Sequence, residues 1–202
     1  MEVKTEQVSG TAPESGTIWM RPDPDQDFRP RNTKAGDVGM DLPVKIDIDM
    51  AKFGESPDRL RFAMTIPSLV ELLRPEGSIE DRRPHMLIPP HGWAEIPSGL
   101  SVKLPDDAWG MVTTRSSTAW CKKLIVINGV IDTGYIGLLG TLVHNPNADF
   151  VKVIEYDSGK RQGDLLSQLI LIPRYEVDTV IMTQRLPKTD RGKSGFGSTD
   201  VN

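Results

Sequence analysis

Between Pro89 and Met182 the chain is cut into short apolar segments, each stopped by turn residues before it could complete a helix of ordinary length. Residues 93–96, 100–104, 110–113, 124–127, 138–143, 151–154, 168–172 and 179–182 each read as a strand. Strands this short at this spacing predict an all-β barrel or sandwich. The 18 glycines and 16 prolines supply the turns and work against helices. With 202 residues, one domain can build a full core and still carry an embellishment.

The N-terminal part is less regular. Residues 1–16 are small and polar and read as a loose arm. Residues 17–20 form a candidate first strand, stopped by Pro22 and Pro24, and 21–36 a proline-rich charged loop. Leu42, Val44, Ile46 and Ile48 alternate with other residues, which predicts a half-buried strand over 42–48. Residues 51–86 differ in character: charged and turn-forming residues surround one short helical stretch, 67–74. They read as an inserted surface excursion in a domain that spans 17–185, with 186–202 as a C-terminal arm. Leu69, Leu72 and Leu73 of that helix could pack on the barrel or meet a protein partner.

Composition removes several classes. Cys121 is the single cysteine, so no internal disulfide framework exists. No apolar run is long enough to span a bilayer and no signal peptide is evident, so a cytoplasmic protein without membrane contact is expected. A formal net charge of −4 argues against a dedicated nucleic-acid binder but not against a nucleotide substrate. His85, His91 and His144 are dispersed and show no metal spacing.

The tail is distinctive. Arg191-Gly192-Lys193-Ser194-Gly195-Phe196-Gly197-Ser198-Thr199-Asp200 sets one aromatic among glycines, cations and hydroxyls. Such a segment cannot build a core, but it can fold over a ligand, with Phe196 on a flat ring and Arg191, Ser198 and Thr199 on anionic oxygens. It is no Walker loop, because Pro187 stands five residues before Gly192. It lacks the third glycine of a dinucleotide fingerprint, and 192–196 fails the nucleophile elbow at its last position.

Four further segments combine glycine with charged or hydroxyl residues: Asp37-Val38-Gly39-Met40-Asp41-Leu42, Thr114-Arg115-Ser116-Ser117-Thr118-Ala119, Gly129-Val130-Ile131-Asp132-Thr133-Gly134-Tyr135-Ile136-Gly137 and Gly163-Asp164-Leu165-Leu166-Ser167-Gln168. The third reads as a β-hairpin with Asp132 near its bend. An exposed Asp with the reference pKa of about 3.9 is ionised at neutral pH and can take a proton from water.

In order and in wording these four segments and the tail resemble the motifs of the trimeric dUTPase family. The resemblance covers most of 36–200 except the excursion. It implies a jelly-roll β-barrel, a homotrimer with shared active sites, and Mg²⁺-dependent hydrolysis of dUTP to dUMP and pyrophosphate. By this resemblance Asp132 orients and deprotonates the water that attacks the α-phosphorus. Tyr135 packs on the deoxyribose, and backbone groups near Gly129 read uracil. Ser116 and Ser117 touch the phosphates, Arg115 is partly structural, and Gln168 offers an amide to a phosphate or to metal-bound water. Asp41 orients water on Mg²⁺, which keeps several waters and uses substrate phosphates as ligands. The tail closes as a lid, with Phe196 on uracil and Arg191, Ser198 and Thr199 on the outer phosphates.

The chain departs from the family pattern at Leu165, usually Arg, at Ser117, usually Gly, and at Met40, often aromatic. Two other readings remain. A dCTP deaminase shares the fold and an Arg-Ser-Ser segment, but Leu142 stands where its proton-shuttling carboxylate would be. A regulatory module would use the scaffold and bind a protein through 51–86.

Overall fold

The structure is a computed structural model and describes residues 17–22, 37–46, 85–185 and 187–189. Ten strands follow in order: β1 (Trp19–Pro22), β2 (Gly39–Leu42), β3 (His85–Ile88), β4 (Trp93–Lys103), β5 (Ala108–Thr114), β6 (Ile125–Val126), β7 (Gly129–Ile131), β8 (Leu138–His144), β9 (Val151–Ile154) and β10 (Ser167–Pro173). One π-helical turn, Thr118–Lys122, separates β5 from β6. Two four-stranded sheets, ordered β1-β4-β8-β6 and β2-β10-β5-β7, lie beside a two-stranded β3-β9 sheet. Every pairing is antiparallel. The all-β jelly roll is as expected.

Two apolar clusters fasten the sheets. The first joins Met40, Leu42, Val112 and Leu169 of one large sheet to Leu100, Val102 and Leu139 of the other. The second joins Ala94, Ile96, Val126 and Val143 to Ile88 and Val153 of the small sheet. Leu165 belongs to the first cluster and Leu166 to the second, so the fourth segment is pinned from both sides. Fully burying one such aliphatic side chain contributes roughly 1.5–3 kcal/mol.

Four expectations change. Residues 93–96 and 100–104 do not form separate strands but lie along one strand, β4, with a register shift between Pro97 and Ser101. Ser98 fills that bulge: its hydroxyl donates to Leu139 O at 2.9 Å and accepts from Leu100 N at 3.1 Å. The first-segment strand is β2, which ends at Leu42; of the expected 42–48, residues 43–46 form no strand and 47–48 lie outside the described residues. Past Leu42 the backbone bonds singly, Lys45 N to Pro97 O and Tyr156 N to Val44 O, both at 2.9 Å. Residues 179–182 form no strand. Val180, Ile181 and Met182 are exposed and pair with nothing in the described sheets. The third segment is a corner, not a hairpin: β7 pairs with β5 while β8 pairs with β4 and β6, in the other sheet.

The described residues on either side of 47–84 meet at a buried anchor. Glu155 accepts from Ile46 N at 2.8 Å and from Lys45 Nζ at 3.0 Å, and the pair's side chains are only 16% and 10% exposed. The next residue back, Ile154, faces His85 across the small sheet. His85 and Met86, placed by sequence in the excursion, are therefore the start of β3. The short helix at 67–74 and the arm at 1–16 lie outside the described residues, as does most of the C-terminal arm.

Candidate active site

The first, second and fourth segments meet at one end of the β2-β10-β5 ladder. In the middle strand Gln168 stands opposite Asp41 on one side and Thr113 on the other. Arg115 follows directly after β5, and its Nε meets Asp41 Oδ1 at 2.6 Å. Its Nη1 donates to Leu165 O at 2.7 Å, and its backbone N donates to Leu166 O at 3.2 Å. Charge-assisted bonds of this length fix a guanidinium firmly. Arg115 is therefore held by the first and fourth segments together. Asp41, with an oxygen committed to Arg115, is also fixed.

Gly39 makes room for this arrangement. A Cβ there would run into Gln168 Oε1 and its neighbouring carbon. The missing side chain lets Gln168 lie across β2, with Nε2 donating to Thr114 O at 3.2 Å. Ser116 and Ser117 follow Arg115 and are exposed. A cavity of about 280 Å³ opens beside them, lined by Arg115, Ser117, Lys122, Arg161, Asp164 and Leu165 among others. Lys122, which with Lys123 reads in sequence as a solvated pair, and Arg161, which motif reading did not single out, both line it. Neither lies in one of the five segments, and only the folded chain brings them to the cavity.

The third segment is not at this end. Thr133 Oγ1 donates to Ala108 O at 2.9 Å, which ties the corner to the first residue of β5. Ile131 faces Gly110. Asp132 is thus level with Trp109, and the extended stretch from there to Arg115 is about 20 Å at about 3.4 Å per residue. One chain does not bring Asp132 and Arg115 together.

The corner is stiff while its carboxylate is open. Tyr135 N donates to Asp132 O at 3.0 Å, closing a turn. Lys103 Nζ reaches Thr133 O at 3.2 Å and Asp106 Oδ1 at 2.9 Å. The Tyr135 ring folds back over Gly137, where a Cβ would strike the ring, and its hydroxyl donates to Leu138 O at 2.9 Å. The Asp132 side chain is exposed. Around it Val130 and Ile136 are 68% and 66% exposed, an unusual apolar surface beside a charge. Gly129 opens β7, which lies at the edge of its sheet. Arg191, Phe196, Ser198 and Thr199 lie outside the described residues.

The fold and these segments define an all-β jelly roll with a charged notch assembled from three distant stretches of chain. The dUTPase family model matches residues 82–200, and the chain belongs to the dUTPase family. The match leaves the first segment outside, yet the sheet places that segment against the fourth. Relatives bear the family's name. The deoxyuridine 5'-triphosphate nucleotidohydrolase of Paramecium bursaria Chlorella virus 1 is 32% identical over 125 residues, 62% of this chain and 80% of the relative. That of Arabidopsis thaliana is 36% identical over 115 residues, 56% of this chain and 64% of the relative. The matched stretch also spans 66% of a Frog virus 3 relative, so the chain covers just under two thirds of some of these proteins. Among solved structures, the Staphylococcus bacteriophage 80alpha dUTPase with dUpNHpp superposes with a TM-score of 0.59 at 19% identity, over 91% of this chain and 98% of that one. The EIAV dUTPase gives 0.53 at 18%, over 85% and 100%. At these identities the likeness speaks for the fold.

Proposed function

We propose that the chain is a dUTP pyrophosphatase, hydrolysing dUTP to dUMP and pyrophosphate by attack of water on the α-phosphorus. Asp132 is the general base. It is exposed on a stiff corner, acts through its carboxylate, and needs only a water within hydrogen-bond reach of a bound phosphate. The single observation that carries the reading is the notch where Arg115 pairs with Asp41, and Gln168, opposite Asp41 in the sheet, bonds Thr114 O, beside Ser116 and Ser117. Fixed donors of this kind stabilise charge that develops on phosphate oxygens without reorganising.

Base and phosphate donors about 20 Å apart in one chain cannot serve one substrate. We therefore infer a homotrimer in which Asp132 of one copy faces Arg115 of another. The exposed Val130, Ile136, Val180, Ile181 and Met182 supply apolar surface for such contacts. The unpaired edge of β7 offers backbone groups at Gly129 for uracil O4 and N3–H. The amino group of cytosine would meet a donor there, and an unpaired buried donor is costly. Tyr135 presents its ring to the deoxyribose. Phe196, with Arg191, Ser198 and Thr199, closes the site from the tail.

Among the described residues no three His, Cys, Asp or Glu side chains cluster as a ready-made metal site. Mg²⁺ would be held by substrate phosphates and water, with Asp41 orienting a water. When bound, the ion would polarise the phosphates toward attack.

The test is a panel of dNTPs with Mg²⁺, followed for pyrophosphate and for the nucleotide product. Selective release of pyrophosphate from dUTP is expected. Comparable cleavage of dCTP or dTTP, or conversion of dCTP to dUTP, would overturn the reading.

A further inference from the structure

We propose that Arg161 is a phosphate-binding residue, holding the outer phosphates of the substrate in the cavity between the Thr118–Lys122 turn and the turn at 157–162. The proposal rests on the hydrolase reading above. It assigns the cavity to a polyphosphate and gives it a cation outside the recognised segments.

The other two cations that line the cavity are already satisfied. Arg115 is held by Asp41 and by Leu165 O. Lys122 Nζ meets Asp164 Oδ2 at 3.0 Å and donates to Lys152 O at 2.9 Å. Asp164 Oδ2 also accepts from Ile154 N at 2.8 Å. Each of these cations thus has a carboxylate and a carbonyl of its own. Arg161 lines the same cavity, is exposed, and has no ion pair among the described residues. It is the cavity's uncompensated charge. Ser117 adds an exposed hydroxyl to the same lining.

Arg161 is also well placed to stay there. Asp157 and Gln162 exchange backbone bonds of 2.7 and 3.1 Å, closing the turn at its base. Asp157 Oδ1 accepts from Lys160 N at 3.0 Å. That amide holds the Asp157 carboxyl below the ordinary carboxylate range, so the bond is charge-assisted at neutral pH. Arg161 itself has φ 54, a left-handed conformation that an arginine seldom adopts outside a defined turn. Just past it, Gly163 at φ 112 packs so tightly on Glu155 that no side chain fits.

Size and chemistry agree on the ligand. A cavity of about 280 Å³ is too small for a whole nucleotide but suits its charged end. A planar guanidinium presents paired donors to phosphate oxygens. Leu165, buried at 8% exposure, brings to this cavity only a carbonyl and apolar surface. The charge absent from the fourth segment is thus supplied from the turn before it.

The experiment compares the parent protein with Arg161→Gln and Arg161→Lys, using dUpNHpp, dUMP and inorganic tripolyphosphate as titrants, with dUTP turnover and thermal midpoints in parallel. Arg161→Gln should weaken dUpNHpp by about ten- to a hundredfold, the scale of one charged hydrogen bond. It should leave dUMP binding and the melting temperature unchanged, raise KM for dUTP, and reduce the salt dependence of binding. Arg161→Lys should recover part of the loss. Equal dUpNHpp affinity in the parent and Arg161→Gln, with the parent active, would overturn this proposal and leave the hydrolase reading intact. A parent that neither binds dUpNHpp nor turns over dUTP would instead sink the hydrolase reading. Tripolyphosphate binding that is unaffected by Arg161→Gln would then overturn the cavity assignment as well.

Discussion

The two ends of β5 are built on opposite principles. At the Thr114 end, Arg115 is held by Asp41 at 2.6 Å and by the Leu165 carbonyl at 2.7 Å, and the Gln168 amide donates to Thr114 O at 3.2 Å. At the Ala108 end the backbone of 132–135 is tied down, yet Asp132 stands exposed beside bare Val130 and Ile136. The first end is internally complete. The second has the form of half a contact, and the difference is the one that the proposed assembly of several copies would resolve.

Replacing Asp132 with Asn should have the largest effect. The amide keeps the shape but cannot take a proton, so turnover of dUTP should fall by about 10²- to 10⁴-fold. The melting temperature should hold, since the corner is fastened by backbone, Thr133 and Tyr135. Near-normal turnover would place the base elsewhere. Next comes a mixing test of the two ends. Arg115→Ala and Asp132→Asn are each expected to be nearly inactive. Co-assembled in equal amounts, they should regain about a quarter of parental activity, because some sites then combine an intact Arg115 with an intact Asp132 from a neighbour. If both residues served a site within one chain, the mixture would stay as inactive as its parts. The smallest effects separate two glycines at the interlocked end. Gly163→Ala meets a backbone carbonyl at an unfavourable φ and should cost about 2–4 kcal/mol in chemical denaturation. Gly39→Ala meets only the tip of Gln168, which can swing aside, and should cost about 1 kcal/mol or less. Its mark should be a lower kcat/KM for dUTP. Equal costs for the two would show that the Gln168 cradle is rigid.

Much of the barrel was legible in the sequence. β5, β8, β9 and β10 sit where short apolar runs meet turn residues, and their bounds shift by a few residues only. Three misreadings share a physical cause, which is that local pattern does not say what lies across the ladder. Pro97-Ser98-Gly99 looks like a turn, but a neighbouring strand lets the chain bulge through it, with Ser98 absorbing the irregularity. Residues 179–182 have strand-forming side chains and no partner in the described sheets. The third segment has turn chemistry at its centre, but its two arms find different sheets. The site was legible as residue types in order, and the pairing of Asp41 with Arg115 was not, since 74 positions separate them and only the β2-β10-β5 register brings them together. Arg161 carried no motif signal at all.

The anchor at Glu155 has an implication for how such a barrel tolerates change. The chain leaves at Ile46 and returns at His85 beside two consecutive residues of the same stretch, Ile154 and Glu155. The barrel itself has already brought the two ends of the stretch 47–84 together. The closure entropy of that stretch grows only with the logarithm of its length, so doubling it costs about 0.6 kcal/mol. A segment can therefore be lengthened, shortened or exchanged at this doorway for little free energy, and the protein gains there a port where new sequence can be tried without disturbing the walls around the notch.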